Sequence, residues 1–460
     1  MSVLPVDTMR PTVAYQVLLL LGIVAAGTAF GGGKAVQLVE FDKETGRPQA
    51  REEALKELEQ LPTNTPVRVI SAIGDARVGK STTLNNVISE WQGASITSTQ
   101  VFKTSREFRA CTKGIWMYIH LDEKTQRYYM FLDVEGNDLG NDQQTQVLSI
   151  ITGLVSSEIM LFATNKISNH GLHFMYQMCR VRDEYFHGDG ANTFGNLHCV
   201  IRGQLDSKES LQQYVRNFLM TEQGDSHDLD KERQQVYNHF ADKTISGTQL
   251  PEINHDLLDS HVDWHNDIRY HRAIETLLVK LKKVPPKATM KGADMDGKLI
   301  ADLIRSLVNT PHEKWASEYT RVEREFCRRV YVEEIDPLLE EAPKWTASEL
   351  EVQAKKRVDR YKQACRLDEE VEHARQRLQE KVQSKIREET ERNKLAAAKE
   401  ARDKAVKDAT VAQEELEKEQ QRHKETKEKL ERNLEHQDGR DDDDGLFEAI
   451  GEMLDDIFDF

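Results

Sequence analysis

The chain has 460 residues, more than one hydrophobic core usually supports, so we expect two or more domains. Its formal net charge is −16, which argues against a protein that binds nucleic acid through a basic surface. The charge is unevenly spread, because residues 438–460 hold ten acids against one arginine and the remaining chain is only mildly acidic.

The first feature along the chain is an apolar segment from Val13 to Phe30. Arg10 precedes it and small residues close it, the pattern of a secretory signal peptide cleaved after Ala29. Its length is also near the minimum for a membrane-spanning helix, and the excess of basic residues after it favours a cytosolic body. Residues 1–33 are therefore predicted to be either a signal peptide or a membrane anchor. We slightly favour a cytosol-facing anchor over the secretory pathway.

Residues 74–82 match the phosphate-binding loop G-x-x-x-x-G-K-[ST] between a strand-like run and a helical pattern. The glycines let backbone N–H groups approach a polyphosphate, and the helix N-terminus adds partial positive charge. Lys80 would reach the β- and γ-phosphates, and the Ser81 hydroxyl would ligate Mg²⁺. The predicted nucleotide contacts are the whole loop: Gly74, Asp75, Ala76, Arg77, Val78, Gly79, Lys80, Ser81 and Thr82.

A second motif, Asp133-Val-Glu-Gly136, follows the strand-like run Tyr128–Leu132. An acid at a strand end can hold Mg²⁺ through water, and Gly136 would let a backbone N–H approach the γ-phosphate. Thr112, between the loop and this strand, would complete the metal shell. The predicted Mg²⁺ residues are thus Ser81, Thr112 and Asp133.

Residues 35–285 are predicted to form one α/β domain. Strand-like runs at 67–73, 128–132, 159–163 and 197–201 are separated by segments long enough for crossover helices. This alternation indicates a mainly parallel sheet with helices on both faces. Val284-Pro-Pro-Lys287 is the expected boundary.

The remainder is predicted to be helical, because it contains no glycine from Lys298 to Asp438 and no proline after Pro343. We expect a helical bundle over 288–343 and a long helix over 346–436 that opens with a capping box from Thr346 to Glu349. Charged residues interrupt the heptad seam, so a weak coiled coil and a solvated helix are equally supported.

Residues 438–460 form an acidic tail with an amphipathic pattern. Its apolar face suits docking on a partner or on the chain's own helices, while membrane contact and a disordered tail stay open. The five cysteines (Cys111, Cys179, Cys199, Cys327 and Cys365) are widely spaced and odd in number, which predicts reduced thiols and no zinc cluster.

These motifs carry a resemblance. The loop, Thr112-Lys-Gly-Ile-Trp-Met117 and Asp133-Val-Glu-Gly136 resemble the large GTPases of the guanylate-binding-protein and atlastin family, within the dynamin superfamily. The resemblance covers roughly residues 35–310. It implies GTP as substrate with Mg²⁺, nucleotide-dependent homodimers, and hydrolysis coupled to a helical domain, often on membranes or in defence.

The resemblance also assigns residue roles. It implies an arginine finger at Arg77 and guanine reading by Arg202. Together with Arg77, we predict Lys80, Thr112 and Glu135 to be catalytic. The chain departs from the family at Val134, at Ala110 and at Gly203, the last standing where the family has an aspartate that reads guanine. Asp206 is a possible substitute, and we discount Asn165-Lys-Ile-Ser168 as a base motif.

The sequence is therefore compatible with three functions. The first is an active Mg²⁺-dependent GTPase that remodels or tethers membranes or acts in defence. The second is a nucleotide-binding scaffold with little turnover, and the third is a triphosphatase with relaxed base choice.

Overall fold

The computed structural model describes residues 33–93, 100–104, 113–134, 136, 142–186, 194–205, 210–220, 227–240, 245–252 and 264–435. The chain divides into two compact units by its contacts. One consists of the described parts of Met1–Pro343 together with Val352–Leu378. The other consists of Lys344–Glu351 and Gln379–Phe460, described as far as Glu435.

A single mixed sheet organises the first unit. Its strands among the described residues are β1 Val36–Phe41, β2 Pro48–Ala50, β3 Val67–Gly74, β4 Ile115–Asp122, β5 Arg127–Val134, β6 Glu158–Thr164, β7 Asn196–Arg202 and β8 Ser246–Leu250. They lie in the order β2-β1-β4-β5-β3-β6-β7-β8. The five strands from β5 to β8 in this order are parallel, and β4, β1 and β2 pair antiparallel at the other edge. The predicted mainly parallel sheet and its four strand runs are confirmed.

Helices cover both faces of this sheet. In chain order they are α1 Glu52–Glu59, α2 Lys80–Gln92, α3 Asp142–Val155, α4 Asn169–Tyr185, α5 Leu211–Met220, α6 His227–Phe240 and α7 Ile268–Leu281. Alternate residues of β3, Ile70 and Ala72, share a buried core with Leu84 of α2 and Ile274 of α7. Successive strand residues point to opposite faces, so their neighbours face the other layer, where α3 and α4 contact β3. Burial on both faces explains why the parallel strands read as continuous apolar runs.

Further helices follow the sheet domain. They are α8 Gly297–Asn309, α9 Trp315–Glu334, α10 Asp336–Glu341, α11 Ala347–Ala364 and α12 Asp368–Glu435. The predicted capping box is confirmed. The Thr346 backbone N–H donates to Glu349 Oε2 at 3.0 Å, and the Glu349 N–H donates to Thr346 Oγ1 at 3.3 Å.

Helix α12 is 68 residues long, and every side chain from 390 to 432 is exposed. The exposed residues include Leu395, Val406, Val411, Leu416 and Leu430. A weak coiled coil along this stretch stays a prediction, as do the domain boundaries at 285 and 343. The acidic tail lies outside the described residues.

The expectation of reduced cysteines was wrong for one pair. Cys327 of α9 and Cys365, just beyond α11, form a disulfide with their Cα atoms 5.0 Å apart. The two cysteines are separated by 38 positions in sequence, and only the packing of the two helices brings them together. Cys179 and Cys199 are buried and are not joined in a disulfide, and Cys111 lies outside the described residues.

None of the described helices combines the length and apolar character needed to cross a bilayer. The apolar segment Val13–Phe30 lies outside the described part of the chain.

Candidate functional site

The phosphate-binding motif forms the connection between β3 and α2. Its backbone adopts positive φ at Gly74 (129°), Arg77 (64°) and Gly79 (90°). A Cβ on Gly74 would stand 2.3 Å from the Phe162 carbonyl oxygen, so the close approach of β6 requires glycine there. The loop thus has the strand–loop–helix geometry that the sequence motif predicts.

Lys80, the first residue of α2, is buried beneath this loop. Its ammonium donates hydrogen bonds to the carbonyl oxygens of Asp75 at 2.8 Å and Gly74 at 3.2 Å. Two carbonyl acceptors hold the positive charge inside the loop, where an anionic ligand would meet it. Arg77 lies at the tip of the loop with its side chain exposed.

Gly136 lies against the same loop, although it follows Ala76 by 60 positions in the sequence. A Cβ on Gly136 would stand 2.5 Å from Ala76 Cα and 2.8 Å from Lys80 Nζ. The backbone of the second motif therefore lies so close to the phosphate-binding loop that only glycine fits at position 136.

Ser81 and Asp133 meet beside Lys80. The Ser81 hydroxyl donates to Asp133 Oδ2 at 2.6 Å, and the aspartate is buried with 1% of its surface exposed. The register of strands β3 and β5 brings the two residues together, because Asp133 of β5 pairs with Ala72 of β3 just before the loop begins. A hydroxyl and a carboxylate oxygen side by side are the hard donors that Mg²⁺ prefers, so these residues fit the ion.

Arg202 ends β7 and reaches the loop from the other side. Its Nη1 lies 2.6 Å from the position that a Cβ would take on Gly79. Arg202, the arginine predicted to contact the guanine base, therefore lies next to the phosphate-binding loop. Lys80, Ser81, Asp133, Gly136 and Arg202 all gather at the carboxyl ends of the parallel strands, where ligands of open α/β sheets bind.

Two site residues predicted from sequence, Thr112 and Glu135, lie outside the described residues, as do Ala110 and Asp206. Their roles stay predictions.

The surroundings of Gly203 contain two residues that the sequence reasoning did not select. Gly203 has a φ of 94°, and a Cβ there would stand 2.2 Å from Asn165 Oδ1 and 3.2 Å from Glu252 Oε1. Glu252 follows β8, which pairs parallel with β7, and the Gly203 N–H donates to the Leu250 carbonyl at 2.8 Å. The pairing of β7 with β8 places the Glu252 carboxylate beside Gly203, the position at which the family has an aspartate.

Comparison with known proteins agrees with this geometry. Residues 47–243 match the family model "Guanylate-binding protein, N-terminal domain". Guanylate-binding protein 5 of Mus musculus is 30% identical over 145 residues, covering 30% of this chain and 22% of the relative. The chain thus matches about a fifth of the length of that relative. Residues 47–243 are thus similar to the N-terminal domain of the guanylate-binding proteins.

Proposed function

We propose that this chain binds GTP together with Mg²⁺ and hydrolyses it. The observation that carries the proposal is the convergence of Lys80, Ser81, Asp133 and Gly136 on one loop, from two motifs far apart in the sequence. The match of residues 47–243 to the model of the guanylate-binding protein N-terminal domain supports the same function.

The chain's own residues then have distinct tasks. The loop N–H groups and Lys80 hold the phosphates, and the Gly136 backbone approaches the terminal phosphate. Ser81 and Asp133 would hold Mg²⁺, which when bound would neutralise charge on the phosphate oxygens, and Thr112 would complete the shell. Arg77 supplies a guanidinium to the transferring phosphoryl group, and Glu135 helps to order the active site.

The test is turnover of GTP and of ATP, each with Mg²⁺, by the full chain. Lys80→Ala removes the buried ammonium and should abolish binding of both nucleotides. Lys56→Ala is the matched control, because Lys56 lies exposed on α1 of the same domain. Equal rates for GTP and ATP would establish relaxed base choice. Binding without turnover would establish the scaffold, and no binding of either nucleotide would end the proposal.

We further propose that Glu252 reads guanine in place of the aspartate that Gly203 replaces. A carboxylate accepts hydrogen bonds from the guanine N1–H and 2-amino group, and Glu252 is the carboxylate found beside Gly203. Arg202 lies at the neighbouring strand end. The proximity of an acid favours guanine specificity over relaxed base choice.

Inosine triphosphate, which lacks the 2-amino group, provides the test. The chain should prefer GTP over inosine triphosphate, and Glu252→Gln should reduce that preference by about tenfold, as expected for loss of a hydrogen bond to a charged acceptor. Glu123→Gln, an exposed acid after β4, is the control. An unchanged preference in Glu252→Gln would exclude this role while leaving the turnover test intact.

Dimerisation and coupling belong to the proposal as well. The family resemblance supports a nucleotide-dependent homodimer whose turnover moves the helical region, with membrane remodelling, tethering or defence as the outcome. Light scattering of the full chain with GDP and aluminium fluoride should show twice the monomer mass. A monomer under these conditions would exclude nucleotide-dependent dimers. Liposome binding with and without the acidic tail separates membrane contact from docking on a partner.

The compartment is a further open choice between a cytosol-facing anchor and the secretory pathway. Disulfides persist mainly in oxidising compartments, so the Cys327–Cys365 bond favours the secretory alternative. Protease treatment of microsomes containing a C-terminally tagged chain tests this proposal. Protection of the tag is expected, and digestion would restore the cytosol-facing anchor.

A further inference from the structure

Three side chains from distant parts of the sequence converge on the far half of helix α2. Glu90 lies near its end, His265 lies in a short 3-10 turn, Trp264–Asn266, and His271 lies in the first turn of α7. The Nε2 atoms of His265 and His271 lie 3.1 Å and 3.3 Å from the same oxygen, Glu90 Oε2. All three ligand atoms lie within 4.8 Å of one another.

The two histidines differ in their hydrogen bonding, since His265 Nε2 is hydrogen-bonded to Glu90 Oε2 at 3.1 Å. Among the residues that the structure describes, His271 Nε2 is buried from water and has no hydrogen-bond partner, although the carboxylates of Glu90 and Glu275 lie at ion-pair distances of 3.3 Å and 4.0 Å. A tetrahedral zinc site with bonds of 2.0–2.1 Å has ligand–ligand separations of about 3.3 Å. The two distances to Glu90 Oε2 fall close to this value, and each of the three residues offers a ligand atom within 4.8 Å of the others.

The surrounding residues hold these ligands in place. Trp264 stacks on the His265 ring with the centroids 3.7 Å apart, and the two imidazole rings lie 4.6 Å apart. Next to His271, the Tyr270 hydroxyl accepts a hydrogen bond from Asn86 of α2 at 3.0 Å. The start of α7 is therefore anchored on α2 independently of any ion, which preorganises the site.

We propose that Glu90, His265 and His271 bind a Zn²⁺ ion, with water as the fourth ligand. Imidazole and carboxylate donors suit zinc, and two histidines with one glutamate form a known tetrahedral set with an open position. The ion would fasten the turn before α7 and the start of α7 to α2. The site is separate from the proposed Mg²⁺ site, because Glu90 lies about 15 Å along α2 from Lys80.

The experiment uses the full chain, stripped with EDTA and dialysed free of nucleotide and Mg²⁺. Titration with Zn²⁺ in a calorimeter should show one high-affinity site. Glu90→Gln and His271→Asn should each weaken binding by about tenfold or more. His173→Asn is the matched control, because His173 contacts Glu232 at 3.0 Å in an exposed pair. Its affinity should equal that of the unmodified chain.

Co²⁺ provides a second readout that does not depend on a variant folding correctly. Bound to the unmodified chain, it should give the intense visible absorption of a tetrahedral ion, and excess Zn²⁺ should remove that absorption. A weak octahedral spectrum, no Zn²⁺ binding, or equal affinity in Glu90→Gln and His271→Asn would overturn the proposal. Since no nucleotide is present, failure here leaves the proposed GTPase activity untouched.

Discussion

The two ends of the parallel sheet use polar residues in opposite ways. At the carboxyl ends, Lys80, Ser81 and Asp133 gather around the phosphate-binding loop, where ligands of open α/β sheets bind. At the amino ends, Glu158 of β6 and His198 of β7 are buried against α7, where Lys280 donates to the Gly247 carbonyl at 2.5 Å. Polar residues of a strand therefore indicate a ligand site at the carboxyl ends of the sheet, whereas at the amino ends they bond to one another and to neighbouring elements.

Burial controls the chemistry of the amino-end cluster. It raises the pKa of Glu158 to about 7, against smaller opposing effects from Asn196 and Lys280. Burial, helped by Lys280, lowers the pKa of His198 to about 3. His198 is therefore neutral at neutral pH, and its 3.9 Å contact with Glu158 is not a charged pair. Its ring nitrogens instead bond the hydroxyls of Ser246 and Thr248, at 2.5 Å and 2.9 Å.

The largest expected effect lies at the carboxyl end. Arg77→Ala should slow single-turnover GTP hydrolysis by roughly 10³-fold, because an arginine finger stabilises charge on the transferring phosphoryl group. Arg127→Ala is the control, since Arg127 is exposed at the opposite end of β5. A change below tenfold in Arg77→Ala would remove the finger from the mechanism.

A second substitution tests the close approach of the two motifs. Gly136→Ala places a methyl group 2.5 Å from Ala76 Cα, so the loop and the second motif must separate. We expect GTP affinity to fall by at least about tenfold, equivalent to 1.4 kcal/mol. Fluorescent-nucleotide titration measures it. Gly171→Ala, whose added methyl has no contact shorter than 3.4 Å, should bind normally. Normal binding by Gly136→Ala would show that the contact is not needed.

The smallest effect is expected at the amino end and concerns stability alone. The pKa of Glu158 in the folded chain lies above its unfolded value of 4.5. The contribution of the protonated carboxyl to the free energy of unfolding is therefore fully present below pH 4.5 and is lost as the pH rises through about 7. Glu158→Gln mimics the protonated form. It should match the unmodified chain at pH 4.5 and exceed its unfolding free energy by roughly 1–3 kcal/mol at pH 8.

Urea denaturation at the two pH values measures this difference. Protonation of His198 lowers the free energy of unfolding as the pH falls from 6.5 to about 3. This fall affects Glu158→Gln and the unmodified chain alike, so it cancels in the difference between them. Glu123→Gln, an exposed acid, should show no such trend. A difference that is the same at pH 4.5 and pH 8 would contradict the assignment of a raised pKa to Glu158.

Local sequence patterns are enough to predict the strand–loop–helix at 67–92, the parallel strands and the capping box at Thr346. These features depend on residues close together in the chain, through apolar periodicity, glycine at positive φ and side chains three residues apart. The sequence also identified Asp133 and Gly136, because a strand end in an α/β sheet leads to the ligand edge.

Contacts between residues far apart in the chain depend on the tertiary structure. Strand pairing brings Glu252 beside Gly203, helix packing joins Cys327 to Cys365, and α2 meets α7 at Glu90 and His271. Each pair is separated in sequence by 38 to 181 positions, and nothing in chain spacing specifies such contacts. They depend on which faces bury together, and that is settled by the packing of the whole domain.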